Sequence, residues 1–470
     1  MNDTIAAIAT PYGSGGIGVI RISGPAAFDI AAALFSRTRK GLCPAGPFET
    51  HTVCHGYIFD PDQQSVIDEV LLIPMKGPRS YTAEDVIEIQ AHSGTVVLRK
   101  ILDEILNQGA RLSEPGEFTK RAFLNGRIDL TQAEAVADII NAKSVNALKF
   151  AASQNLGSLK EKICKMREDL IRFLSRVEVN IDFPEDVEPF EPAETEKNQI
   201  HDLIKDCRAF IKQHDDACFL KDGIRVAICG APNVGKSSLM NRLLDQDRSI
   251  VTAVPGTTRD PIEEGMNMNG IPFVLSDTAG IHQTDDLVEI IGIEKAKDHI
   301  SQADIILFMK EAGSQVTDAE FEKVVCRNLP QKERKETING QKVIFVVNKI
   351  DIDGENLPQL SSKYRDVPRV LISALKNKGI GRLKEKIINI SMAGLDVGKS
   401  SVIPNLRHKK ALELTVESLE AVAKGLEDGM EPEILAMDIK SSIDSLGTIT
   451  GETASLDILD TIFSNFCIGK

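Results

Sequence analysis

The chain has 470 residues, 42% of them apolar and 26% charged, with a formal net charge of −14. Such a composition belongs to a globular protein of about three domains. It excludes a generally basic nucleic-acid coat, so any RNA contact has to be a local patch or come through a partner. The eight cysteines contain no C-x-x-C pair. No secretory signal and no apolar run of about 18 residues is present, so the expectation is a cytoplasmic protein with reduced thiols and no membrane association.

Residues 1–118 read as an α+β domain. Asp3 to Pro11 opens strand-like, and a glycine loop from Gly13 to Gly18 leads into the strand Val19 to Ser23. A dinucleotide fingerprint needs its glycine loop after a strand and before a helix, so this loop is not one. Glu69 to Pro74 and Val86 to Gln90 alternate as strands, and Gly94 to Leu106 carries apolar residues at the three- and four-residue steps of an amphipathic helix. Arg21 and Glu88 are charges inside strands. By pattern alone they lie on a solvent-facing side.

Residues 119–217 read as helical. Thr131-Gln-Ala-Glu134 has the form of a capping box at the start of a long helix. A second helix carries the stripe Leu156, Leu159, Ile163, Met166, Leu170, Leu174 and Val177. An acidic, proline-bearing loop, Asp182 to Glu194, follows, and then a helix with Ile200, Leu203, Ile204, Cys207 and Ile211 inward. Helical pattern resumes within 393–470, at Ala411 to Leu414, Val416, Leu419 and Val422. The expectation is one all-α bundle interrupted by an inserted domain, residues 218–392, whose ends lie close together.

The inserted segment carries the chemistry. Strand-like Ile224 to Cys229 runs into Gly230-Ala-Pro-Asn-Val-Gly-Lys-Ser-Ser238 and then a helix, the spacing of a P-loop. Gly230 and Gly235 let successive backbone N–H groups curl around an oxyanion. Asn233, Val234, Gly235, Lys236, Ser237 and Ser238 are therefore candidate phosphate contacts, with Lys236 reaching the β- and γ-phosphates and Ser237 ligating Mg²⁺. Asn233 is either a turn former or an amide oxygen for a monovalent cation. Next, Thr252, Ala253, Val254, Pro255, Gly256, Thr257 and Thr258 lie where a switch threonine belongs. Asp277-Thr278-Ala279-Gly280 ends a strand, placing an acid for water-mediated Mg²⁺ contact and a glycine N–H for the γ-phosphate. Ile281 follows, where Ras-like GTPases carry a water-orienting Gln, and Ile cannot activate water. Asn348, Lys349 and Asp351 end the strand Val343 to Val347. Asp351 can accept the guanine N1–H and exocyclic amine, and a backbone N–H near Ser373 and Ala374 can meet guanine O6. These features select GTP.

The chain ends in Phe466-Cys-Ile-Gly-Lys470, a poor match to a prenylation signal because the last residue is Lys. It is either a frayed tail or one that reaches into a site, with Cys467 beside Lys470.

Asp3-Thr-Ile, Gly18 to Gly24, Pro115 to Phe118, Arg121 to Asn125, Asp129 to Ala135, Gly256 to Asp260, Ile291 to Glu294 and the Phe466 to Lys470 ending, taken with the P-loop, resemble the tRNA-modification GTPase MnmE (TrmE) family along the whole chain. The resemblance implies a tetrahydrofolate-binding-like α+β domain, a helical bundle and an inserted Ras-like P-loop GTPase domain. It implies K⁺-dependent hydrolysis of GTP. With an MnmG-type flavoprotein partner, which carries the FAD, it implies addition of a carboxymethylaminomethyl or aminomethyl group to C5 of the wobble uridine of certain tRNAs. The carbon would come from a folate, 5-formyl- or 5,10-methylene-tetrahydrofolate. Carried over residue by residue, the folate contacts are Arg21, Glu88, Arg127 and Lys470, with Arg127 replacing the Lys of some members. K⁺ falls to Asn233, Thr252, Val254 and Thr257, and Mg²⁺ to Ser237 and Thr258. Glu289 matches the water-orienting acid, with Lys236 and Cys467 the other catalytic candidates, and a homodimer is expected. A GTP-dependent ribosome or RNA assembly switch is the alternative.

Overall fold

The computed structural model of the chain describes residues 3–11, 13, 15–41, 47–183, 194–247, 263–277, 300, 303–317, 321–322, 343–352, 357–358, 360–361, 364, 367–392, 402–464 and 466–470. The chain forms two compact units. One comprises Met1–Ile140, Ala152–Ile211 and Leu406–Lys470, and the other Asn141–Ala151 and Lys212–Asn405.

In the first unit a seven-stranded sheet contains β1 (Ile5–Ile8), β2 (Ile17–Ser23), β3 (Phe35–Ser36), β4 (Cys54–Asp60), β5 (Ser65–Met75), β6 (Val86–His92) and β7 (Arg111–Leu112), in the order β3-β4-β5-β6-β2-β1-β7. All neighbours are antiparallel except β1 and β7. Side chains alternate across a strand, so Ile20 and Ile22 of β2 and Ile87 and Ile89 of β6 face the core. The helices Ala27–Leu34 and Thr95–Asn107 cover that side. The intervening residues face the other side. There Arg21 stands directly opposite Glu88, and Phe118 of the helix Glu117–Leu124 packs with Ile5, Ala7 and Tyr81. Arg21 and Glu88 are thus half-buried in a covered corner. The solvent-facing side expected from pattern is closed at this point by a helix distant in sequence.

The same unit holds the bundle. On the helix Ser158–Asp182 the buried stripe is Leu159, Ile163, Met166, Leu170, Phe173 and Val177. Phe173 takes the place expected of Leu174; steps of three and four from Leu170 both keep the 3.6-residue period, and the larger aromatic side chain is the one buried. Leu156 precedes the helix and is exposed. The helix Leu406–Asp428 packs on Pro432–Thr450, which packs on Ser158–Asp182. The helix Leu130–Asn141 is capped two residues earlier than expected, at Asp129 in place of Thr131. Asp129 Oδ1 accepts from the Gln132 N–H and Thr131 Oγ1, and Gln132 Oε1 accepts from the Asp129 N–H. That is a reciprocal capping box, and it frees Glu134 for another task. Arg407 grips Glu134 with two bonds of 2.9 Å and also donates to the carbonyls of Thr448 and Ile449, with buried His408 alongside.

In the second unit six strands, β8 (Ile224–Gly230), β9 (Glu263–Met268), β10 (Ile271–Asp277), β11 (Ile305–Glu311), β12 (Val343–Asn348) and β13 (Arg369–Leu371), run in the order β13-β12-β11-β8-β10-β9. All pairs are parallel except β9 with β10. The sheet is covered on both faces. The helices Lys236–Asp247 and Ile380–Met392 lie on one, and Phe321 and Tyr364 pack against Phe308 and Phe345 on the other. β12 is accordingly a continuous buried run. The strand order is that of a Ras-like GTPase fold. The connections change direction at β8, and an open α/β sheet binds ligands at the carboxyl end of such a strand. Asn141–Ala151 joins this unit because Asn146 and Lys143 bond the β9–β10 hairpin. The unit's two ends meet: His214 Nδ1 donates to Pro404 O at 2.7 Å. Among the described residues no helix is long and apolar enough to cross a membrane.

Candidate functional site

The crevice at the end of β8 is built locally. Gly230 has φ +148 and its missing Cβ would lie 2.3 Å from Met309 O, so the strand can leave the sheet beside β11 only with glycine there. Asn233 is left-handed with φ +61, a conformation Asn tolerates, and its side chain is exposed. Gly235, φ +96, delivers the chain to the N-terminus of the helix Lys236–Asp247. The buried Lys236 ammonium donates to Gly230 O and Ala231 O, both at 2.9 Å. Ser237 and Ser238 open the helix at the surface.

Two distant loops converge on this turn. Asn348, at the end of β12 and buried, donates from Nδ2 to Val234 O at 2.8 Å and accepts at Oδ1 from the Ala374 N–H at 3.0 Å. Its job is therefore to bolt the phosphate-binding turn to the Ser373 loop. Lys349 is left-handed, φ +63, and pairs with Glu311 at 2.9 Å. The Ser373 hydroxyl holds the Asp351 carboxyl below the usual carboxylate range, ahead of burial, which opposes it, and Lys376 and Lys378 add to the lowering. Asp351 is thus an ionised acceptor. The Ser373 loop closes on itself through Ser373–Lys378 backbone bonds. Arg242, which no motif singles out, donates to Ala374 O at 3.0 Å and Leu375 O at 3.1 Å.

Asp277 ends β10 next to β8, opposite Ile228. Thr252, Ala253, Val254, Pro255, Gly256, Thr257, Thr258, Thr278, Ala279, Gly280 and Glu289 lie outside the described residues.

A second cluster forms on the covered corner of the first unit. Arg21 donates to Glu88 Oε1 at 2.9 and 2.7 Å and to Gly469 O at 3.3 Å. Its guanidinium lies 4.9 Å from the centre of the Tyr81 ring and 5.6 Å from that of Phe118. The Arg127 guanidinium lies 5.1 Å from the same Tyr81 ring and donates to Tyr81 O at 2.9 Å. The C-terminal tail reaches this corner. Phe466 is buried against Phe463, and the Gly116 N–H donates to Cys467 O. Gly469, φ +91, passes so close to β1 that a Cβ would meet Ile8 O at 2.6 Å. Burial, and then the Arg21 charge, push the Lys470 ammonium below its ordinary range against the opposing pull of Glu88 and Cys467. Arg21 is the hub of the cluster: it and Arg127 lie over Tyr81, which sequence reading missed, it pairs with Glu88, and its charge acts on Lys470. Cys467 is exposed at the cluster's edge. By contrast Cys207 and Cys229 are buried, which pushes both thiols up to about 12.

Two family models together match almost the whole chain. Residues 4–127 match the model for the GTP-binding protein TrmE N-terminus, and residues 130–467 match the model for the MnmE helical domain. The chain belongs to the MnmE family. It is 43% identical over 474 residues to the tRNA modification GTPase MnmE of Carboxydothermus hydrogenoformans, covering 100% of both chains. It is 42% identical to the MnmE of Desulforamulus reducens, again over 100% of each chain. The MnmE of Thermoanaerobacter pseudethanolicus is 42% identical over 100% of this chain and 99% of its own. The TrmE N-terminal match covers the sheet that carries Arg21 and Glu88, and the MnmE helical match runs from residue 130 to residue 467 and takes in the P-loop strand and helix of the second unit.

Proposed function

We propose that the chain is a K⁺-dependent GTPase that works with an MnmG-type, FAD-carrying flavoprotein to add a carboxymethylaminomethyl or aminomethyl group at C5 of the wobble uridine of certain tRNAs, using a folate-derived carbon. The observation that carries the nucleotide half is the Asn348 bridge, which joins the P-loop to the loop beside Asp351 and so makes one continuous guanine-nucleotide site. A half-buried acceptor such as Asp351 disfavours a base lacking the matching donors, because it would be left unpaired.

The residues present fit the groups this activity needs. Ser237, with Thr258, would hold Mg²⁺, which supplies charge neutralisation at the phosphates. The exposed amide of Asn233, with Thr252, Val254 and Thr257, would hold K⁺, which would supply transition-state charge in the manner of an arginine finger, Ile281 standing where Ras-like GTPases carry the Gln. Lys236 binds the terminal phosphates, and Glu289 takes the water-orienting role that Ile281 cannot. The phosphate contacts run through Val234, Gly235 and Ser238, with Ala253, Pro255 and Gly256 in the switch and Asp277, Thr278, Ala279 and Gly280 at the γ-phosphate. Asn348, Lys349, Asp351, Ser373 and Ala374 surround the base.

In the first unit Arg21, Arg127 and Lys470 offer donors and Glu88 an acceptor beside Tyr81, a set suited to 5-formyl- or 5,10-methylene-tetrahydrofolate, whose neutral pterin presents amide and amino groups and whose glutamate carries the carboxylates. Such a ligand supplies the one-carbon unit, and Cys467 stands exposed beside it. The working form is a cytoplasmic homodimer. Its domains are residues 1–118 for folate and dimerisation, 119–217 and 393–470 for the helical bundle, and 218–392 for GTP.

Nucleoside mass spectrometry of tRNA from cells lacking the protein tests the proposal, together with GTP hydrolysis in K⁺ against Na⁺. Loss of C5-aminomethyl-type wobble uridines and faster hydrolysis in K⁺ are expected. Intact wobble uridines would replace this reading with that of an RNA assembly switch.

A further inference from the structure

The loop beside Asp351 is tied to the phosphate-binding element at two points. One is Asn348, the residue a guanine-site motif names. The other is Arg242, which no motif names. It lies on the helix Lys236–Asp247, whose first turn closes the P-loop, and its guanidinium donates from Nε to Ala374 O at 3.0 Å and from Nη2 to Leu375 O at 3.1 Å. Asn348 Oδ1 accepts the Ala374 N–H at 3.0 Å. The backbone at Ala374 and Leu375 is therefore held through both its N–H and its carbonyls, by two residues from different elements. Ser373 just before them is buried, and the Lys376 N–H just after them donates to Ser373 Oγ at 3.1 Å. The exposed Leu375 side chain supplies no apolar anchor. A charged, planar donor with two N–H groups in a fixed fork fits this work in a way an ammonium cannot.

We propose that Arg242 is a positioning residue of the base-binding loop, and that its grip sets how slowly guanine nucleotide leaves. The inference rests on the reading of Asp351 and the Ser373 loop as the base site. Backbone donors select a base only when their direction is fixed before binding, because ordering a free loop on binding consumes affinity. Arg242 fixes them by connecting the loop to the helix whose N-terminus meets the phosphates. The two halves of the nucleotide are then held by one rigid body, and release requires both to let go together. Without Arg242 the base end opens first and dissociation accelerates, in keeping with the rule that most affinity changes at one interface appear in the off-rate.

The test is stopped-flow release of a fluorescent GDP analogue from the full-length protein and from Arg242→Ala and Arg242→Lys, with pyrophosphate binding measured alongside. Arg242 is only half-buried, so the variants are expected to fold, and urea unfolding without nucleotide checks this. Release from Arg242→Ala should be roughly tenfold faster, equivalent to about 1.4 kcal/mol. Arg242→Lys should fall between the two, and pyrophosphate affinity should be unchanged, because pyrophosphate has no base. Release within twofold of the wild type, or an equal loss for pyrophosphate, would overturn the role given to Arg242. A wild-type protein that binds GDP no better than ADP would instead sink the base-site reading beneath it.

Discussion

Gly235→Ala probes the join between the phosphate turn and the base loop. At φ +96 an alanine is strained, by about 1–2 kcal/mol for a left-handed L-residue. Its Cβ would sit 2.3 Å from Asn348 Nδ2, so the buried amide must move. Moving it surrenders the bond to Val234 O and disturbs the bond from Ala374, at about 1 kcal/mol each, with more if a buried carbonyl is left unpaired. The sum is about 3 kcal/mol. If the loop shifts to accommodate the methyl group, the loss falls on the bound state, and GDP affinity drops roughly 100-fold or more. If it does not shift, the loss appears as reduced stability of the nucleotide-binding unit. Titration with a fluorescent GDP analogue, paired with urea unfolding of the nucleotide-free protein, reads both. Affinity within threefold of the wild type together with an unchanged unfolding midpoint would refute the claim that Asn348 and Gly235 form one tightly packed joint.

Three further outcomes are expected. Asp351→Asn should move preference from GTP towards xanthosine triphosphate, and unaltered GTP selectivity in competition binding would remove Asp351 from base recognition. Gly469→Val should lift the tail off β1, because any Cβ there meets Ile8 O at 2.6 Å. Tetrahydrofolate affinity should then fall at least tenfold by titration while GTP turnover persists, and an unchanged folate isotherm would detach the tail from that site. Glu134 supplies the pH dependence. Burial works to raise its carboxyl, but His408 and Arg407 outweigh it and hold it well below the usual range. Because the folded value is depressed, its stabilising contribution is complete above the ordinary Glu range near about 4.3 and is lost as pH falls below it. The stability difference between wild type and Glu134→Gln in urea should therefore shrink from pH 6 to pH 3, and a difference constant across that range would assign the effect to packing.

The nucleotide site was legible because its parts are local. The strand Ile224–Gly230, the glycine turn and the helix after Lys236 are contiguous, and their spacing is dictated by the phosphate they wrap. Asp351 and Ser373 were legible as types at strand ends. Their mutual position was not, since it is decided by parallel pairing of β12 with β13 and by the Asn348 bridge across 114 residues of chain. Arg242 carried no signal at all, because an arginine seven places into a helix reads as a solvated surface charge until another loop brings carbonyls to it. The bundle stripe was readable from the 3.6-residue period. The cap was misplaced because Asp129, Thr131 and Gln132 can each bond the same few N–H groups, and only the path of the preceding chain decides between them.

The corner with Arg21 shows the limit most clearly. The alternation of β2 and β6 determined that Arg21 and Glu88 point away from the apolar core. Only the tertiary structure decided what covers them: Phe118 and Tyr81 from one side, and Gly469 from 448 residues further along. Local periodicity fixes which face a side chain takes, since that depends on neighbouring dihedrals alone. What meets that face depends on long-range closure, whose free energy is shared over the whole fold and leaves no mark at any one position.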